Sequence, residues 1–237
     1  MIKSEYPIIW EKENFSIKIF CSIPAIATGI LLQASNTYFV IDPGDGILRD
    51  LNKDLEQDEI LSITDIFITH GHHDHVGGVW SLLTYMRIMK KSTPLQIHYP
   101  EGCIEIESIY NAFKTVYSKT IPYKIILNKL MDDKSFTRQK VKIDPFPVKH
   151  SELAPGGKNT QLVPALGYRF THKGIKICYG GDTAYCEELV KMAKGADLAI
   201  IEAGDDDDHI PGMHMTEAEA ITIGETAKEY FLVHVPE

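Results

Sequence analysis

Short apolar segments bounded by polar turn residues recur through the first hundred residues, and each of these segments is predicted to form a strand. After the third segment, Asp42-Pro43-Gly44-Asp45-Gly46 has the composition of a turn. The fourth segment runs directly into a cluster of histidines. The strands predicted in this part of the chain are Ile17–Cys21, Gly29–Gln33, Tyr38–Ile41, Asp65–Thr69 and Pro94–Tyr99.

Apolar residues at helical spacing predict five helices, and further strands lie between them. The predicted helices are Leu48–Gln57, Val79–Lys91, Ile104–Tyr117, Cys186–Lys194 and Thr216–Tyr230. The later strands fall between Lys124 and Val148 and at Leu166–Thr171, Ile175–Tyr179, Leu198–Glu202 and Phe231–His234. This order favours an α+β fold of two packed sheets with helices outside over a regularly alternating parallel sheet. No linker or repeat interrupts the pattern, so we predict one domain over residues 1–237.

Composition and charge narrow the class of protein. The chain has 237 residues, and 44% hydrophobic and 24% charged residues are typical of a globular protein. Its formal net charge is −9, with four consecutive aspartates at Asp205–Asp208, which argues against a partner that is a long nucleic acid. Four cysteines without a C-x-x-C pair, no signal peptide and no membrane-length apolar segment favour a cytoplasmic protein that does not enter a membrane.

The strongest chemical signal is His70-Gly71-His72-His73-Asp74-His75, which follows the strand Asp65–Thr69. Imidazole nitrogens suit zinc, and a nearby carboxylate suits a second, harder metal position. A loop after a strand can turn several such side chains toward one point, and Gly71 provides backbone freedom for that turn. Three histidines and an aspartate in H-x-H-x-D-H order therefore predict a metal site.

This motif resembles the signature of the metallo-β-lactamase superfamily, and the resemblance extends from Gly29 to His234. It implies a four-layer αββα sandwich with the metal site at one edge between the sheets. It further implies that His70 and His72 bind one metal ion, that Asp74 and His75 bind a second, and that His73 fills a variable position and is no ligand.

The remaining ligands implied by the resemblance also follow predicted strands. His150, after Phe146-Pro147-Val148-Lys149, would complete the first metal site. Asp182, in Tyr179-Gly180-Gly181-Asp182-Thr183, would bridge both ions, and His234 would complete the second site. The chain ends three residues after His234, so we expect either a compact variant or a shortened chain.

His214 opens the sequence His214-Met215-Thr216, which resembles the H-S-T motif of the ribonuclease Z-like branch. There a histidine that is not a ligand acts on the scissile phosphate. Thr216 and Glu219 also match a helix N-cap and its partner, which explains the threonine but not His214.

Members of the ribonuclease Z-like branch carry a long tRNA-gripping arm between the segments matching His150 and Asp182. Here that gap is 182 − 150 = 32 residues, which leaves no room for the arm.

These observations predict a metal-dependent hydrolase whose two divalent ions are zinc, although iron or manganese would fit the same ligands. A bridging hydroxide would attack a small or nucleotide-like phosphodiester, with Asp74 orienting it and His214 assisting as a catalytic residue. Three alternatives stay open. The first is hydrolysis of another ester, such as a thioester, lactone, sulfate ester or β-lactam. The second is a ribonuclease Z-like endonuclease without the arm. The third is a non-catalytic metal-binding protein. A small-molecule ester is the expected partner, and the sequence leaves a homodimer open.

Overall fold

The computed structural model describes residues 6–21, 28–131, 134–154, 156, 159–205 and 212–235. The chain divides into two compact units, Met1–Lys129 and Leu130–Glu237, and each is described by itself. The prediction of a single domain stays a prediction. No helix among the described residues is long and apolar enough to cross a membrane. All four cysteines are buried free thiols.

The first unit is built on a seven-stranded sheet in which the strands follow one another in chain order. The first four strands are antiparallel neighbours, and β4, β5 and β6 run parallel. The strands are β1 (Ile8–Lys12), β2 (Phe15–Ile19), β3 (Ile30–Ala34), β4 (Thr37–Ile41), β5 (Asp65–Phe67), β6 (Leu95–Pro100) and β7 (Ile125–Leu130).

Helices of the first unit cover an apolar face of this sheet. The helices are α1 (Ile47–Asp54), α2 (Gln57–Ser62), α3 (His73–Val76), α4 (Val79–Ile88) and α5 (Ile104–Tyr117). Their buried residues, including Leu51, Leu82 and Phe113, form one core cluster with Val40, Ile66 and other sheet residues. The strand prediction missed β1, although Ile8 and Trp10 are buried and Ile9 is exposed, as alternation requires.

The predicted helix Leu48–Gln57 was wrong in one respect, because two helices replace it. Leu55 adopts an extended conformation and ends α1. The side chain of Glu56 then caps α2, with Glu59 bonding back to the Glu56 backbone N–H at 2.9 Å. A glutamate is not a preferred N-cap residue, so sequence preference gave no sign of this break.

The second unit contains a six-stranded sheet in the order β15-β14-β13-β12-β9-β8 and a separate hairpin, β10-β11. Strands β13, β14 and β15 run parallel, and the rest of the sheet is antiparallel. The strands are β8 (Phe136–Arg138), β9 (Val141–Pro147), β10 (Ser151–Leu153), β11 (Thr160–Leu162), β12 (Leu166–His172), β13 (Ile175–Tyr179), β14 (Leu198–Glu202) and β15 (Tyr230–Val233).

Two helices, α6 (Glu187–Ala193) and α7 (Glu217–Gly224), pack on one face of this sheet. The expected cap of α7 is confirmed, since Glu219 N–H donates to Thr216 Oγ1 at 3.3 Å and Thr216 N–H donates to Glu219 at 3.0 Å. The helix predicted to reach Tyr230 ends at Gly224. A Cβ on Gly224 would lie 2.5 Å from the Tyr230 ring, so the chain turns back there on a close contact.

Lys91 is a buried cation, and no predicted site residue is its neighbour in the sequence. Its ammonium group donates hydrogen bonds to the Leu61 carbonyl at 2.5 Å, the Ile63 carbonyl at 2.7 Å and Thr93 Oγ1 at 2.9 Å. Burial lowers the pKa of Lys91 to about 8, and the charge of Asp65 opposes this shift. Lys91 thus supplies donors to two backbone carbonyls at the C-terminal end of α2.

Replacing Lys91 by methionine should lower the free energy of unfolding by about 1–3 kcal/mol at pH 7, because those carbonyls lose their donor. Since the folded pKa of about 8 lies below the ordinary 10.5, the folded state loses the proton first as pH rises. Wild-type stability relative to K91M should therefore increase across that interval. Urea unfolding at several pH values measures both effects, with the exposed Lys119→Met as control. A pH-independent difference would contradict the assignment.

Candidate metal centre

The predicted ligands of the first unit lie together at the end of β5. The ring centroids of His70 and His72 are 4.6 Å apart, and those of His70 and His75 are 4.2 Å apart. His75 Nε2 lies 3.1 Å from an Asp74 carboxylate oxygen. The chain turns here because His72 is extended and α3 begins at His73, which brings Asp74 and His75 back toward His70. His70 and His75 are fully buried, so this cluster is held inside the unit.

A buried carboxylate, Asp42, fixes the orientation of two of these histidines. Its oxygens accept hydrogen bonds from Thr69 N–H at 2.7 Å, the Thr69 hydroxyl at 2.6 Å and His75 Nδ1–H at 2.9 Å. Because the Thr69 hydroxyl gives its hydrogen to Asp42, it accepts from His70 Nδ1–H at 3.1 Å. Asp42 therefore sets the tautomer of both rings and leaves Nε2 of His70 and His75 as a lone-pair donor. Sequence analysis placed Asp42 only in a turn.

The backbone of Asp74 packs against a glycine from the turn after β4. A Cβ on Gly44 would lie 2.0 Å from the Asp74 carbonyl oxygen and 2.7 Å from that of Thr28. The Thr28 N–H also donates to the Asp74 carbonyl at 3.0 Å. Only glycine permits this close approach. The turn at Asp42–Gly46, which was predicted from its composition, therefore packs against the loop that carries Asp74.

His73 occupies a different environment from its neighbours. Its side chain is 79% exposed, and its Nε2 lies 2.8 Å from the Asp45 carboxylate. It does not join the cluster of His70, His72, Asp74 and His75.

The second unit brings together His150, Asp182, His214 and His234. The ring centroids of His150 and His214 are 5.4 Å apart, and those of His214 and His234 are 5.3 Å apart and nearly parallel. An Asp182 oxygen lies 3.9 Å from His234 Nε2 and 4.0 Å from His214 Nδ1. Gly204 leaves room for this stack, because a Cβ there would lie 2.6 Å from His234 Nδ1 and 3.0 Å from His214 Nδ1.

Glu202, at the end of β14, is the buried acceptor around which this second cluster is arranged. It is 1% exposed. It accepts backbone hydrogen bonds from Thr183 at 3.0 Å, Gly204 at 2.6 Å and Met215 at 3.2 Å, and His214 Nδ1 lies 3.4 Å from it. Sequence analysis missed Glu202. The available signal was an acidic residue closing the otherwise apolar strand Leu-Ala-Ile-Ile-Glu.

Glu202 and His214 influence each other's protonation. Burial raises the pKa of Glu202, and the neighbouring His214 opposes this. Burial, the largest single influence on His214, disfavours its charged form, but Glu202 and Asp182 together outweigh it and raise the pKa of His214. Both shifts favour the protonated form of the group concerned. The segment before His214 includes Asp206–Asp208 and His209, which lie outside the described residues.

The donor set of each unit fits a divalent ion. Histidines that bind metals normally donate their other ring N–H to a carboxylate, a carbonyl or a similar acceptor. His75 does so to Asp42, His70 to Thr69, and His150 through Nδ1 to the Met213 carbonyl at 2.9 Å. Ligand atoms of His70 and His72 lie within 4.8 Å of each other, as do those of Asp74 and His75, and those of Asp182 and His234. Imidazole and carboxylate donors at these spacings suit zinc, iron or manganese.

A protein-family model described as a beta-lactamase superfamily domain matches residues 37–235. The chain belongs to this superfamily. The match spans all the predicted metal ligands and His214, and it confirms the predicted metallo-β-lactamase fold and the prediction of a metallo-hydrolase.

Similar proteins include several named ribonuclease Z. One from Methanothermobacter thermautotrophicus is 27% identical over 251 residues, covering 88% of this chain and 80% of the relative. The structure of the short form of human tRNase Z aligns with a TM-score of 0.71 at 24% identity, over 89% of this chain and 86% of that one. A diphosphatase of the PhnP family aligns with a TM-score of 0.64 at 20% identity, over 89% of this chain and 74% of that one.

Replacing Asp42 by asparagine should weaken metal binding by about 10- to 100-fold, because an amide cannot accept from all three donors that orient His70 and His75. Competition with a chromophoric chelator measures the affinity. Asp45→Asn is the matched control, since Asp45 contacts the exposed His73, which does not join the cluster. Equal metal affinity in the two variants, with both folded by circular dichroism, would show that Asp42 does not hold the ligands.

Proposed function

We propose that this chain is a phosphodiesterase that uses two divalent metal ions, with zinc as the first choice, on a small or nucleotide-like substrate. The observation that carries the proposal is His214, held on Glu202 beside Asp182 and His234. A histidine that is not a ligand can donate a proton to the leaving oxygen of a phosphodiester. The match to the superfamily over residues 37–235 and the relatives named ribonuclease Z support phosphodiester chemistry.

We assign His70, His72 and His150 to one ion, Asp74, His75 and His234 to the other, and Asp182 to both. The tautomers set by Asp42 and by the Met213 carbonyl support this assignment, because they leave Nε2 of His75 and His150 able to bind an ion. When bound, two such ions neutralise charge on the phosphoryl group and lower the pKa of water to near neutrality.

The chain's own groups would perform the remaining steps. Asp74 would orient the attacking water through its carboxylate. Because His214 Nδ1 faces Glu202 at 3.4 Å, its Nε2 would deliver a proton to the departing oxygen. Glu202 would keep that imidazole charged and correctly turned. Proton transfer of this kind accelerates a reaction about 10²–10⁴-fold.

A small substrate is favoured by the length of the segment between His150 and Asp182 and by the charge of the chain. The described part of that segment forms β10, β11, β12 and β13, and a net charge of −9 opposes a long polyanion. The second candidate is a ribonuclease Z-like endonuclease, which the names of the curated relatives favour. Both candidates share the same metal chemistry and differ in substrate.

Replacing His214 by alanine should leave both ions bound and lower kcat by about 10²-fold or more, because only assistance to the leaving group is lost. Replacing His75 by alanine should instead lower metal content and activity together. Elemental analysis and turnover of bis-p-nitrophenyl phosphate separate the two effects. Loss of a metal ion from H214A would mean that His214 is a ligand.

The preferred substrate can be tested directly with the metal-loaded chain. We expect kcat/KM at physiological salt to be at least as high for small phosphodiesters as for precursor tRNA. Efficient 3′ trimming of precursor tRNA, with small diesters nearly inert, would favour the endonuclease. Turnover of a thioester or lactone far above that of any diester would contradict phosphodiester hydrolysis altogether.

A further inference from the structure

The loops that carry His150 and Asp182 leave strands that are not neighbours in the sheet. β9 ends at Pro147 and β13 ends at Tyr179, and β12 lies between these two strands. Hydrogen-bonded strands lie about 4.8 Å apart, so β9 and β13 are separated by about 10 Å. The sheet by itself therefore does not bring His150 close to Asp182, and a connection between the two loops has to do so.

The connection is made by the residues that flank the two ligands, Lys149 and Thr183. The Ala184 N–H donates to the Lys149 carbonyl at 2.7 Å, and these two residues form an isolated β-bridge. The Lys149 N–H donates in turn to the Thr183 hydroxyl oxygen at 3.0 Å. The loop after Asp182 thus holds both the N–H and the carbonyl of Lys149, the residue directly before His150.

The Thr183 side chain is itself held in one position. Thr183 is fully buried, and its hydroxyl donates to the Ala184 carbonyl at 2.7 Å, with the Lys149 carbonyl slightly farther away at 3.2 Å. Its backbone N–H donates to Glu202 Oε1 at 3.0 Å, which anchors Thr183 to the end of β14. Because both the backbone and the hydroxyl of Thr183 are bonded, its side chain holds Lys149 at a defined distance.

We propose that Thr183 is a positioning residue for the metal centre and that its hydroxyl sets the spacing between His150 and Asp182. This inference rests on the proposed function, in which these two ligands bind the same ion, and it gives the Thr183 side chain a role there. Without the hydroxyl, the Lys149 N–H loses its acceptor, so the loop that carries His150 is less firmly held. The ion that needs both ligands then binds less tightly.

The test compares Thr183→Val, which keeps the shape of the side chain but removes the hydroxyl, with Thr183→Ser, which keeps the hydroxyl. Thr84→Val is the matched control, because Thr84 Oγ1 is also buried but has no hydrogen-bond partner among the described residues. Competition between each folded, metal-free variant and a chromophoric chelator for zinc gives the Kd of each ion. T183V should bind one of the two ions about tenfold or more weakly, whereas T183S and T84V should stay within about threefold of wild type.

Hydrogen exchange of the Lys149 amide is a second measurement that needs no substitution, and it decides the case if T183V does not fold. In metal-free wild type this amide should exchange slowly although Lys149 is exposed, because its N–H is bonded to a buried hydroxyl. Exchange as fast as in an unstructured peptide would overturn the inference. So would an unchanged zinc affinity in folded T183V, or an equal loss of affinity in T183S. If wild type binds two zinc ions but hydrolyses no diester, the proposed function fails, and these affinities still decide the role of Thr183.

Discussion

A carboxylate buried at the end of a strand must be surrounded by hydrogen-bond donors, because an unsatisfied buried charge is strongly destabilising. In the first unit this carboxylate is Asp42, which is fully buried and accepts hydrogen bonds from Thr69 and His75. In the second it is Glu202, which accepts from three backbone N–H groups and faces His214. Satisfying each carboxylate positions the residues to which we assign the chemistry.

The two carboxylates differ in what they orient. Asp42 is linked to His70 through the Thr69 hydroxyl and to His75 directly, so it governs which nitrogen of each ring is left to bind a metal ion. Glu202 contacts His214, so it influences the protonation of the His214 imidazole. In the proposed mechanism, metal binding and proton transfer therefore depend on separate buried groups, Asp42 and Glu202.

Local signals in the sequence were sufficient for the ligand cluster and most of the strands. His70, His72, Asp74 and His75 could be predicted because they lie within six residues after a strand. His150, Asp182 and His234 required resemblance to a family, since nothing local distinguishes them from other polar residues at strand ends. The hairpin β10-β11 was not predicted, because three-residue strands are too short to show alternation.

Asp42 and Glu202 could not be predicted because their roles are defined by partners distant in the chain. Asp42 accepts from Thr69 and His75, 27 and 33 residues away. Glu202 accepts from Thr183 and Met215, on opposite sides of it in sequence. An acidic residue at the end of an apolar strand is the only local sign that either carboxylate is buried. Supporting residues of this kind become visible only when the tertiary hydrogen bonds are known.

The central proposal for this protein is that two metal ions serve phosphodiester hydrolysis. Titrating metal-free protein with zinc while recording both bound metal and turnover of bis-p-nitrophenyl phosphate tests this in one experiment. We predict that turnover rises with occupancy and reaches its maximum at two ions per chain. Saturation of metal binding without any turnover, or full turnover with no metal bound, would contradict it.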